Sequence, residues 1–182
     1  MIPFQWSDHI LEEDGTLLHE EFLHDGLDDP RKPFAETLLR TLGSGGSIVV
    51  YSGYEVARIR ELATSFPGLT SALLGLIDGR VVDLLQLIRQ FCYHPGFHGS
   101  FSIKSVLPAL VHDLDYNDLE ISDGSMASAV YSEIVRPGIS PDRREFLRTS
   151  LLSYCRRDTE AEVRIYEALR GAGSPQTPAF LQ

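Results

Sequence analysis

A chain of 182 residues with 43% apolar side chains is long enough to enclose one core and too hydrophobic to stay wholly unfolded. Its formal net charge of −10 excludes a protein that coats nucleic acid by bulk electrostatics, which needs Lys and Arg to displace counterions from phosphates. No apolar run approaches the roughly 18 residues of a membrane span, and Met1 is followed by Ile2, Pro3 and Phe4 without a basic signal-peptide start, so the expected location is the cytoplasm. Cys92 and Cys155 form neither a disulfide framework nor a zinc pattern, and are expected as half-buried packing residues in a reducing compartment.

Residues 2–11 and 16–23 are strand-like on either side of a turn ending in Asp14-Gly15, which predicts an opening hairpin. Asp29 offers an N-cap before Pro30, and Phe34, Leu38, Leu39 and Leu42 recur at helical spacing until Gly43. The β-branched run over residues 47–51 predicts a central strand covered on both faces. Val56, Ile59, Leu62, Ala63 and Phe66 describe a helix ended by Pro67-Gly68, and a second helical stretch reaches Ile77 before Asp78-Gly79. Residues 80–84 predict another buried strand, and 85–93 a helix that enters a Pro- and Gly-rich loop over 94–100. Ser102 is a candidate cap for a helix over 103–110, a further helix covers 122–135, and 141–169 is helical throughout. Residues 1–171 read as one domain with a flexible tail over 172–182. Hairpin first, then strands alternating with helices: this order predicts an α/β fold, a mixed sheet flanked by helices.

Tyr154 and Asp158 lie four apart on the last helix and therefore share a face, where a carboxylate can hold a metal while a phenol positions a water. By itself this spacing is short and common, and it equally describes a solvated Asp beside a core Tyr. Upstream, Ser52 and Glu55 stand at a strand-to-helix turn, with the acid three residues after the small polar side chain. Asp83 ends the second buried strand, where it serves as readily to cap the next helix as to approach a metal. Lys104, beside the Ser102 cap, is the preferred phosphate contact among the cations. His94 and His98 are separated by Pro95 and Gly96, so helical ligand spacing does not apply and they read as loop histidines.

Taken together, residues 49–59, 80–85, 99–107 and 151–161 resemble, in order, the motifs of the RNase H-like DEDD 3′-to-5′ exonucleases of the tyrosine subtype. At closer range Ile2-Pro3-Phe4-Gln5, His19-Glu20-Glu21-Phe22-Leu23, Tyr93-His94-Pro95 and Tyr154-Cys155-Arg156-Arg157-Asp158-Thr159 resemble a bacterial domain-of-unknown-function family placed within that superfamily.

The resemblance implies an RNase H-like fold and hydrolysis of nucleic acid assisted by Mg²⁺ or Mn²⁺. Glu55, Asp158 and Asp83 would be the metal ligands, and Tyr154 would orient the attacking water. Ser52 and Lys104 would meet the substrate. Ser52 stands where such enzymes carry Asn, and Glu55 where they carry Asp. Their Asp-x-Glu strand would precede Ile2, so the expected fold is N-terminally truncated, with the first strand missing and an upstream segment or additional domain anticipated. The competing expectation is a degenerate RNase H-like module that binds a protein or nucleic-acid partner without metals.

Overall fold

The computed structural model describes residues 2–172. β1 (Gln5–Leu11) and β2 (Leu17–Leu23) form an antiparallel hairpin in which Trp6 faces Phe22 and His9 faces His19. Its turn closes by a 2.9 Å bond from the Glu12 N–H to the Thr16 carbonyl and passes through Gly15 at φ +86°, a left-handed conformation that favours glycine. Strand alternation sends Trp6 into the core, where its indole N–H donates to Thr37 Oγ1 at 3.0 Å on α1 (Arg31–Leu42). Asp29 accepts from the Arg31 N–H at 3.0 Å and so closes the turn that starts α1.

β3 (Ile48–Val50) and β4 (Val81–Asp83) pair in parallel, joined by α2 (Tyr54–Ser65) and α3 (Thr70–Ile77). The loop that enters β3 is gathered by one side chain. Arg80 donates to the carbonyls of Leu42, Gly43 and Gly46 at 2.8–2.9 Å, and also to that of Gly45. Beyond β4 come α4 (Leu84–Phe91), α5 (Ile103–Leu110), α6 (Gly124–Ile134) and the long α7 (Pro141–Ala172).

Among the described residues a single mixed sheet with residues 47–51 at its centre does not form: the strands make two separate two-stranded sheets, and β3 pairs with β4. What joins the sheets is α7. Thr159 Oγ1 lies 3.0 Å from Ser7 Oγ and 2.8 Å from His9 Nδ1 on β1, and Ser7 Oγ continues to His19 Nε2 at 2.8 Å on β2. Further along α7, Ala161 and Ile165 are fully buried in the cluster that holds Tyr51, just beyond β3. The architecture is mixed α/β, with small sheets flanked by helices.

Several boundaries differ from the sequence reading for local reasons. α6 starts at Gly124 because Asp123, not Ser122, caps it, accepting from the Ser125 and Met126 N–H groups at 2.8 and 2.9 Å. Ser102 precedes α5 but gives it only a main-chain acceptor, since its hydroxyl meets that of Ser105 instead. The anticipated tail falls on residues 172–182: Ala172 still belongs to α7, and 173–182 lie outside the described residues. Cys92 and Cys155 are free and half-buried as anticipated. Among the described residues no helix is long and apolar enough to cross a membrane.

Three buried clusters share the load. Trp6, Phe34, Leu62 and Leu73 pack under the hairpin, Ile88, Phe97 and Ile165 beside β3 and β4, and Phe4, Ile134 and Leu151 between β1, α6 and α7. Because Ile165 has no solvent exposure, Ile165→Ala removes both buried area and packing partners. We expect a loss of roughly 2–5 kcal/mol, read as a lower urea midpoint at unchanged slope.

Candidate functional site

Helical periodicity sets Tyr154, Asp158 and Glu162 in one stripe along α7, each one turn from the next. Asp158 is largely buried, and loss of hydration raises its pKa. The Tyr116 and Tyr154 hydroxyls and the Lys104 ammonium work in the opposite direction. Both phenols are themselves held well above the ordinary tyrosine value, first by burial and then by the Asp158 charge. Lys104, on the first turn of α5, places its Nζ 5.4 Å from the ring centre of Tyr116 and 5.9 Å from that of Tyr154, and donates to the Ser122 carbonyl.

Glu55 arrives from the first turn of α2. Burial raises its pKa, and Asp83 and Asp158 add repulsion; its Oε2 is buried with no hydrogen-bond partner. Glu162 is half-buried, and its pKa is raised well above the ordinary value. Burial is the largest cause, Glu55 and Asp158 repel it, the Tyr51 main-chain N–H opposes the shift, and Asp8 of β1 adds to it. Side chains from β1, α2 and α7 thus enclose one acidic neighbourhood.

Among the residues singled out by sequence, Tyr154, Asp158 and Lys104 adjoin one another here, and Glu55 feels the Asp158 charge. Asp83 reaches Glu55 electrostatically, but both its oxygens serve Gln86, from the main-chain N–H at 3.1 Å and the side-chain amide at 3.0 Å, so it caps α4. Ser52 Oγ accepts from the Tyr54 N–H at 3.2 Å and closes the turn into α2. His94 Nδ1 accepts from the Gly96 N–H at 3.1 Å, as a loop residue does. Glu162, Asp8 and Tyr116 are additions. Continuing the four-residue spacing past Asp158 points to Glu162; nothing in the local pattern points to Tyr116, which lies between α5 and α6.

Carboxylate oxygens and an orphaned buried Glu55 Oε2 suit a hard divalent cation. Among the described residues, however, no three His, Cys, Asp or Glu side chains converge closely enough to hold a metal ion. A cation here would have Asp158 and Glu55 as its protein ligands and draw on water or phosphate oxygens for the rest, a coordination that Mg²⁺ commonly adopts.

Because Glu55, Asp158 and Glu162 have raised pKa values, the folded chain retains protons that the unfolded chain releases. Their contribution to stability is fully present below about pH 4 and is lost as pH rises through the folded values. Glu162→Gln removes the most strongly shifted of these charges. We expect its melting temperature to exceed the wild type's by about 2–4 °C at pH 8, with a smaller difference at pH 4.5, followed by calorimetry.

Residues 1–102 match a family described as a domain of unknown function, DUF2779. No curated protein matches the chain, and neither does any solved structure. The family match takes in the hairpin, both β3 and β4, and Glu55, and ends before α5. Since it extends over more than half of the sequence, the chain belongs to the DUF2779 family.

Proposed function

We propose that this chain is an RNase H-like domain of the 3′-to-5′ exonuclease type, acting on nucleic acid with Mg²⁺ or Mn²⁺. The observation that supports the reading is that Glu55, remote in sequence from Tyr154 and Asp158, lies close enough to feel the Asp158 charge, with Lys104 beside the Tyr154 ring. Such a cation would supply activation of water and stabilisation of the leaving oxygen.

The chain's own residues then divide the work. Asp158 and Glu55 present oxygen ligands. The Tyr154 hydroxyl, held protonated by burial, donates and accepts hydrogen bonds and so orients a water without becoming ionised. Lys104 offers a positive charge to a phosphate, and the two rings beneath it limit where its ammonium can move. The overall negative charge makes this local cation important for strand approach.

A second reading is a module of the same fold that binds a partner without metals, favoured by the absence of three convergent ligands among the described residues. The two separate in one assay, in which a 5′-labelled single-stranded oligonucleotide is incubated with Mn²⁺. The exonuclease reading expects products shortened from the 3′ end, abolished by Asp158→Ala and slowed about 100-fold by Tyr154→Phe. Intact substrate, or cleavage indifferent to Asp158→Ala, overturns it. Oligonucleotide binding without cleavage, unaffected by chelator, selects the second reading.

A further inference from the structure

β2 is the exposed strand of the hairpin. Among the described residues it pairs with β1 alone, so along the other edge of its seven residues the main-chain N–H and C=O groups have no strand beside them. Exposure tells the two strands apart: β1 is buried or half-buried as far as Ile10 and meets α7 through Ser7 and His9, whereas Leu17, Leu18, Glu20 and Glu21 of β2 are all exposed. The pairing runs from Gln5 opposite Leu23 to Leu11 opposite Leu17 without a bulge, and β2 contains no proline or lysine, the devices that commonly keep such an edge from being extended.

Beside this strand a groove of about 380 Å³ opens between the hairpin and α1, with Trp6, Ile10 and Phe22 as its apolar residues. Trp6 points toward α1 and Ser7 toward α7, and their cross-strand partners Phe22 and Glu21 follow them to the same two faces. Residues 5–23 carry six carboxylates and neither Lys nor Arg, and among the described residues lining the groove Arg40 is the one cation, facing Glu20 and Glu21. Antiparallel pairing with β2 of a second copy would set these carboxylates against one another, so the charge favours a basic partner over self-association.

We propose that the free edge of β2 is a docking site for an extended basic peptide of a partner protein, which adds as a third strand. Its main chain pairs with β2, alternate apolar side chains enter the groove beside Trp6 and Phe22, and the intervening lysines or arginines meet Glu21 on the other face. The site is separate from the acids on α7 and stands without them.

The test uses a fluorescein-labelled, amidated heptapeptide that alternates lysine and valine, titrated with the full chain by anisotropy, with hydrogen–deuterium exchange followed over residues 17–23. The expected result is saturable binding that slows exchange in β2, and about tenfold weaker binding in the Glu20→Lys/Glu21→Lys variant at an unchanged melting temperature. Methylating the valine amides in one probe and the lysine amides in another removes donors from opposite edges of an extended chain, so one of the two loses about tenfold in affinity and the other keeps it. A loss shared by both, or by neither, shows charge attraction without strand addition and overturns the proposal, as does slowed exchange elsewhere but not in β2. A dimer in sedimentation that the same charge reversal alters assigns the edge to a second copy and overturns the peptide reading, and so does a wild type that binds none of the probes.

Discussion

The long helix α7 packs against the hairpin, α5 and α6. Within two turns it offers Thr159 to the hairpin, Ala161 and Ile165 to the cluster beside β3, and Asp158 and Glu162 to the space between them. The two sheets share no strand pairing, so their relative placement depends on this helix rather than on a continuous ladder. The hydrogen-bonded chain from His9 through Thr159 and Ser7 to His19 gives that contact a fixed register, because sliding α7 by one residue would carry Thr159 off both partners. Apolar packing supplies adhesion on either side, and the hydroxyls supply position.

The same geometry obliges the protein to enclose acids that would be better hydrated. Glu55, Asp158 and Glu162 each lose water and repel one another, and the compensation is partial: two phenols and Lys104 for Asp158, one main-chain N–H for Glu162 and nothing for Glu55 Oε2. Ordinary packing would replace such groups with apolar side chains. Enclosed acids with perturbed titration, gathered from separate elements, are where chemistry is most often found.

Much of the element order was legible because it rests on local signals: turn residues at Asp14-Gly15, apolar repeats in α1 and α2, and β-branched runs at β3 and β4. That Tyr154 and Asp158 share a face of α7 was legible from their spacing, and the place of Glu55 at the start of α2 from the strand-to-helix turn before it. Sheet organisation was not, since the composition of residues 47–51 fits a strand with one neighbour as well as one with two. Ser52 and Asp83 show a related limit: a short polar side chain before a helix suits a ligand and a cap equally, and here both are used by the main chain. Tyr116 was hidden because long-range ion pairs from Arg157 and Arg164 place it, and no periodicity encodes them.

Arg80 illustrates how far from the acids the arrangement is set. A single guanidinium gathers the carbonyls that close the gap between α1 and β3, where a glycine-rich segment would otherwise sample many paths. That segment aims β3, and β3 delivers Tyr51 and then Glu55. A lysine at position 80 would keep the charge but could not span acceptors spread over the whole bend. The aim of the Glu55 carboxylate is therefore inherited from a clasp at the opposite end of the strand before it, and sequence drift at that clasp would disturb the acidic neighbourhood without touching any residue in it.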